Sequence, residues 1–202
     1  MNLCAVILAG GKSSRMGQDK AWLEIGGQTL LARQIKLAHE CGAEEVFISG
    51  RVDKDYSQFA CPVLYDRWAE AGPLAGIGRA LEETSSSRLL VLAVDMPWLT
   101  PVVLRKLAGP GRGDRGMVPR VGSRIEPLAA IYPKLAASLA AAMLSRGIHA
   151  AATFAENCVR SGLAQFQTWN ESDAGCFASW NRLSDAMPAA VLPSDSKPPG
   201  VG

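Results

Sequence analysis

Lys12, Arg15 and Lys20 fall in one short run of residues together with Gly10, Gly11, Gly17 and Asp19. Glycine lets a backbone come close to an anion and turn its N–H groups toward it. Arg15 and Lys20 would add fixed positive charge. The run follows the apolar stretch Cys4 to Leu8, which reads as a buried strand. A strand that opens into paired glycines and then cations suits a phosphate. The same residue types also suit a glycine-rich strand-to-helix turn with solvated charges.

Two common phosphate motifs are excluded by spacing. A P-loop ending at Gly11-Lys12-Ser13 would need its first glycine where Val6 stands. The dinucleotide fingerprint needs Gly-x-Gly-x-x-Gly, whereas Gly10 and Gly11 are adjacent and the next glycine is Gly17.

Two acids could share the site. Asp95 follows Leu89 to Val94, the most continuously apolar run in the chain. In open α/β sheets ligands bind beyond the carboxyl ends of the strands, so Asp95 and the glycine loop are expected at one edge. A carboxylate beside a polyphosphate needs a counter-charge. Mg²⁺ supplies one and takes one or two carboxylates, filling its shell with water and phosphate oxygens. Asp95 is read as that ligand; the alternative is a cap for the helix near Thr100. Asp66 follows a second strand and precedes Gly72-Pro73-Leu74-Ala75-Gly76. That segment reads either as a backbone surface close to a ligand or as a plain helix entry. His39 and His149 are placed on helical segments with no nucleophile or acid at a telling spacing, and read as surface residues.

The elements that must position these residues alternate. A helix is expected over Thr29 to Glu40, with Leu31, Ile35 and Ala38 on one face and Gly42 as its stop. Strands are expected at Val46 to Ile48, Pro62 to Tyr65 and Leu89 to Val94, with helices starting at Pro73 and at Thr100-Pro101. This β-α-β-α order predicts a parallel sheet with right-handed crossovers. The second half is less regular. Gly109 to Gly116 reads as an exposed, mobile loop, Leu128 to Tyr132 as a strand, Lys134 to Arg146 as a helix and Leu163 to Trp169 as a strand. Pro188 to Gly202 is proline-rich and reads as a disordered tail.

Composition fits a soluble globular chain of one domain. Of 202 residues, 48% are hydrophobic and 20% charged. A net charge of +2 gives no reason to invoke nucleic acid, and no apolar run approaches the roughly 20 residues of a membrane span. No secretory signal is visible at the start. Cysteines at 4, 41, 61, 158 and 176 form no Cys-x-x-Cys pair and read as thiols in a reducing cytoplasm.

Taken together, these segments resemble the MobA family of molybdenum cofactor guanylyltransferases. The resemblance rests on Leu8-Ala9-Gly10-Gly11 with Arg15-Met16-Gly17 and Asp19-Lys20, on Asp66 with Gly72 to Gly76, and on Asp95-Met96-Pro97. Weaker matches are Glu126 to Ala129 and Phe177 to Asp185. It implies one α/β nucleotidyltransferase domain over residues 1–187, three-layered and Rossmann-like with a mainly parallel sheet. It implies GTP as substrate, Mg²⁺ at Asp95, and transfer of GMP to the terminal phosphate of molybdopterin with release of pyrophosphate. Arg15, Lys20 and Asp95 take the catalytic roles. Leu8, Ala9, Gly10, Gly11, Lys20, Asp66, Gly76, Asp95 and Asn181 bind the ligands. GTP, molybdopterin and molybdoenzyme maturation proteins are the implied partners. Three places depart from the family pattern: Ser49-Gly50-Arg51 in place of Ala-Asn-Arg, Glu126 in place of histidine, and Ser179 to Ser184, which keeps only Asn181 of the two asparagines usual there. A cytidylyltransferase on the same cofactor, a sugar-phosphate nucleotidyltransferase and a non-catalytic nucleotide-binding protein are the alternatives.

Overall fold

The structure is a computed structural model describing residues 2–11, 19–68, 71–109, 113 and 115–180. Arg15, Asn181, the tail from Pro188 and half of the 109–116 stretch lie outside the described residues.

Alternating burial along the strands builds the molecule. In β1 (Leu3–Leu8), Leu3, Ala5 and Ile7 join one apolar cluster, while Cys4 and Val6 join the other. Successive side chains point to opposite faces of a sheet, so a strand that is apolar on both must be covered on both. Helices α1 (Leu30–Glu40) and α3 (Pro101–Ala108) cover one face. Helices α2 (Gly72–Glu83), α4 (Ala137–Ser145) and α5 (Ala151–Arg160) cover the other. The result is a three-layer α/β/α sandwich.

β1 lies between two parallel neighbours, β4 (Ala43–Gly50) and β6 (Arg88–Ala93). β5 (Val63–Tyr65) pairs parallel with β4 at one edge. Beyond β6 the direction reverses, because β9 (Ala129–Pro133) runs antiparallel to it. β7 (Gly116–Val121) follows, antiparallel to β9, and then β10 (Ala164–Trp169), parallel to β7. The short β8 (Arg124–Ile125) folds back on β7 as a hairpin. The order β10-β7-β9-β6-β1-β4-β5 thus has a parallel block of four strands at one end.

Several elements differ from the sequence expectation. No element is expected between Lys20 and Thr29. The chain there forms a small hairpin, β2 (Glu24–Ile25) and β3 (Gln28–Thr29). Its turn, Gly26-Gly27, has φ of 61° and 75°, the pair of positive values that a two-residue hairpin turn requires. Thr29 caps α1 rather than opening it, accepting from the Ala32 N–H at 3.2 Å. The expected helix over Lys134 to Arg146 begins with a short 3₁₀ turn, so α4 spans only Ala137–Ser145. His149 lies in the connection after α4, not on a helix.

α5 is unforeseen although its pattern is legible. Ala151, Phe154, Ala155 and Cys158 recur at helical spacing and all are buried. Phe154 is fully buried, its ring 5.0 Å from that of Tyr132 on β9. Phe154→Ala should cost about 3–5 kcal/mol of stability through the cavity it leaves. Urea unfolding is the check: the midpoint should fall while the slope stays that of the parent chain.

Candidate active site

Four strand ends reach one rim of the parallel block. Beyond them lies a cavity of about 520 Å³. From β1 its lining takes Leu8, Ala9, Gly10 and Gly11; from β4, Ser49; from beyond β5, Asp66; from beyond β6, Val94 and Asp95. Asp19 and Lys20, the α2 entry at Gly72-Pro73, and Ala93 and Leu128 complete it.

The β1 end is held by hydrogen bonds that continue the sheet ladder past its last residues. Ala9 N–H donates to the Ser49 carbonyl at 2.9 Å, and Val94 N–H to the Leu8 carbonyl at 3.2 Å. Neither Gly10 nor Gly11 has positive φ. Among the described residues, a Cβ on Gly11 would meet nothing within 4 Å, and one on Gly10 only backbone at 3.7 Å or more. Packing among the described residues therefore gives no reason for these two glycines.

Lys20 is placed by a local turn. Asp19 Oδ1 accepts from Ala21 N–H at 3.1 Å and so caps a short 3₁₀ turn, Lys20–Trp22, that Ala21 anchors in the core. Lys20 Nζ then reaches Asp95 Oδ2 at 2.8 Å, with the two side chains 18% and 23% exposed. Asp95 is fixed from behind. Its carbonyl accepts from Trp180 N–H at 2.7 Å, and the next carbonyl, that of Met96, accepts from Gln34 Nε2 at 2.7 Å. Asp66 stands at the other end of the rim. Partial desolvation pushes its carboxyl above the ordinary range, and no pairing group among the described residues offsets that rise.

The geometry brings Leu8, Ala9, Gly10, Gly11, Lys20, Asp66 and Asp95 around one cavity. Gly76 is not in that lining. It is buried one layer behind the lining, where a Cβ would collide with the Ser49 side chain and come within 2.9 Å of Leu8 Cδ2. Its role is to let α2 approach the sheet. Ser49 and Leu128 line the cavity without having been foreseen as site residues. Ser49 carries a signal, a polar residue at the end of a buried strand. Leu128 carries none, since its position depends on the antiparallel entry of β9, where Ala93 N–H donates to its carbonyl at 2.8 Å.

Chemically the cavity offers main-chain groups at a glycine-flanked strand end, a lysine, and a carboxylate beyond the adjacent strand. Among the described residues no cluster of three or more His, Cys, Asp or Glu could hold a metal on its own. One carboxylate is sufficient for a Mg²⁺ that completes its shell with phosphate oxygens and water. Asp95 fits that role.

A MobA-like NTP transferase domain model matches residues 5–159. The chain belongs to this family. A probable molybdenum cofactor guanylyltransferase from Opitutus terrae is 38% identical over 91% of this chain and 92% of its own length. A second, from Pelotomaculum thermopropionicum, is 41% identical over 64% of this chain and 62% of its own. Among solved structures, the molybdopterin-guanine dinucleotide biosynthesis protein A of Archaeoglobus fulgidus superposes with a TM-score of 0.69 at 22% identity, covering 89% of this chain and 92% of that one. That likeness concerns the fold.

The glycines separate packing from binding. Gly76→Ala should overpack the α2–sheet contact and cost about 1–3 kcal/mol. Gly11→Ala should leave thermal stability unchanged or slightly raised, because its Cβ meets no atom of the described residues. It should still weaken binding of a nucleoside triphosphate. Thermal melts with and without nucleotide separate the two effects.

Proposed function

We propose that this chain transfers GMP from GTP to the terminal phosphate of molybdopterin. A phosphate oxygen of the acceptor attacks the α-phosphorus of GTP, the bond to the β-phosphate breaks, and pyrophosphate leaves. The observation that carries this reading is Lys20 and Asp95 in one cavity with the backbone of Leu8 to Gly11. Family membership and the named relatives support the choice of substrates.

The residue inventory suits this reaction. A phosphate monoester is already anionic near neutral pH, so its oxygen needs no general base. Catalysis then rests on positioning and on neutralising charge at the phosphates. In this reading Lys20 meets the charge that develops on the α-phosphate and the leaving pyrophosphate, and Arg15 shares that task. Asp95 would hold Mg²⁺, which would supply charge neutralisation at the phosphates. Asp66 binds the nucleotide at the far end of the rim, and Asn181 belongs to the acceptor side. The domain spans residues 1–187 with 188–202 as a tail. The enzyme works in the cytoplasm and hands its product to molybdoenzyme maturation proteins.

The ion pair makes a further demand. Lys20 and Asp95 neutralise each other at 2.8 Å, so each must exchange its partner before it serves a phosphate or a cation. The pair keeps some contact with solvent, 18% and 23% of the two side chains, so its members can exchange partners. A triphosphate that draws Lys20 away leaves Asp95 ready for a cation. Mn²⁺ titrated by electron paramagnetic resonance should therefore bind more tightly with GTP present than without it. Lys20→Met should raise Mn²⁺ affinity in the absence of nucleotide.

Turnover tests the whole reading. The protein, incubated with molybdopterin, Mg²⁺ and GTP, should release pyrophosphate and form the guanine dinucleotide. CTP, ATP and sugar phosphates tried in parallel should not substitute. Lys20→Ala and Asp95→Asn should each lower the rate by about 10²–10³, the cost of losing one charge-stabilising contact. Turnover with CTP alone would reject the proposal.

A further inference from the structure

The turn that carries Asp95 is held from outside more firmly than by its own bonds. Two tight turns follow β6, and each is closed by a long hydrogen bond. Met96 N–H donates to the Ala93 carbonyl, and Leu99 N–H to the Met96 carbonyl, both at 3.4 Å. Bonds of this type ordinarily measure about 2.9–3.0 Å, so neither fixes the turn well. The short bonds come from distant elements. Trp180 N–H donates to the Asp95 carbonyl, and Gln34 Nε2 of α1 to the Met96 carbonyl, each at 2.7 Å. Arg33, beside Gln34, adds a longer bond from Nη2 to the Pro97 carbonyl at 3.5 Å.

Packing alone does not account for Gln34. The buried residues of α1 are Leu30, Leu31, Gln34, Leu37 and Ala38, an apolar stripe with one amide in its middle. Gln34 is 2% exposed, and its Oε1 is buried with no hydrogen-bond partner among the described residues. The Met96 carbonyl can only accept, so the amide turns its nitrogen there and leaves its oxygen without a donor. An unpaired buried acceptor is unfavourable, and an apolar side chain of similar length would avoid it. What glutamine adds is a fixed Met96 carbonyl, one residue beyond the acid that pairs with Lys20.

We propose that Gln34 is a positioning residue for the cation site: its amide fixes the peptide between Asp95 and Met96, and so sets the aim of the Asp95 carboxylate. This rests on the nucleotidyltransferase reading given above. Gln34 does not line the cavity and acts through the backbone alone. When Asp95 exchanges Lys20 for a cation, the carboxylate turns about its own side-chain bonds. Where it arrives then depends on where the backbone holds its Cα. Groups that orient a metal ligand from behind are worth about 10–100-fold in metal affinity. Gln34 acts through one intervening peptide, which places it at the lower end of that range.

GTP binding to the full chain, measured by calorimetry in EDTA and again with Mn²⁺, tests this. The ratio of the two affinities is the share contributed through the cation. Gln34→Met should match the parent chain in EDTA and lose about tenfold with Mn²⁺. Its melting temperature should stay close to the parent's, because the lost hydrogen bond is offset by removal of the buried Oε1. Gln34→Leu, a second apolar replacement, should behave in the same way. Leu37→Ala, on the same stripe of α1, controls for general loosening of the helix. It should melt earlier and keep the parent's ratio. A parent ratio in Gln34→Met overturns the proposal. So does an equal fall in Leu37→Ala, which would make the effect one of helix packing. Asp95→Asn should lower the ratio further than Gln34→Met. If Asp95→Asn keeps the parent's ratio, the cation is not at Asp95, and the metal assignment of the nucleotidyltransferase reading fails together with the proposal.

Discussion

The parallel pairing of β1 with β4 on one side and β6 on the other is the constraint on which the site depends. Parallel strands bring their carboxyl ends to the same rim, so residues distant in sequence arrive together. Leu8 pairs with Ser49 and with Ala93 in one register, and the ladder continues into the loops. A slip of one residue in either pairing would exchange the two faces of the strand, because side chains alternate with period two. It would also move Ser49 or Asp95 off the cavity wall. The apolar residues on both faces of β1 and β6 resist such a slip. The packing that stabilises the sheet is therefore the same packing that sets the geometry of the rim.

Charge in the cavity is arranged to be rearranged. A lone carboxylate beside a phosphate site would repel the ligand, and a lone lysine without an acid would attract any anion. Paired at 2.8 Å, they offset one another's charge. The backbone around Asp95 is pinned by Trp180 and by Gln34, so exchange of partners falls to the Lys20 side chain. Lysine suits this, with a flexible four-carbon stem and a point charge rather than a rigid fork. Asp66 has no such partner among the described residues, and partial desolvation raises its carboxyl. The two acids are thus distinct in kind: one is exchangeable between cations, and the other is an acceptor waiting for a donor.

Much of this rim was legible from residue order. The runs ending at Leu8, Tyr65 and Val94 are apolar enough to be strands, and the residues after them are polar enough to be ligands. The strand-end rule then gathers Gly10, Asp66 and Asp95 without any coordinates. What was not legible depends on pairing between distant segments. The hairpin of β7 with β8 contains Pro119, a residue that argues against a strand until its neighbours are known. β9 reads as a strand, but its antiparallel direction, which brings Leu128 to the cavity, does not show in its sequence. Gly76 was placed in the site by proximity in sequence, whereas helix geometry turns it back toward the sheet. The α5 pattern was present and passed over because its polar residues, Thr153, Glu156 and Asn157, interrupt the apolar run on the other face.

The glycines make the last distinction between a fold and a site. Gly116 cannot carry a Cβ because the Ile131 carbonyl lies 2.6 Å from where it would be, and Gly50 because the Tyr56 ring lies at the same distance. Those positions, like Gly76, are glycine for the sake of the protein's own packing. Gly10 and Gly11 are glycine where the described residues leave room and where φ is ordinary. Alanine there would cost the folded chain nothing that its own contacts reveal, and it would restrict the unfolded chain. Residues that internal packing leaves unexplained mark where something outside the chain comes into contact. Here they lie at the end of β1, beside the one ion pair that a phosphate and its cation would take apart.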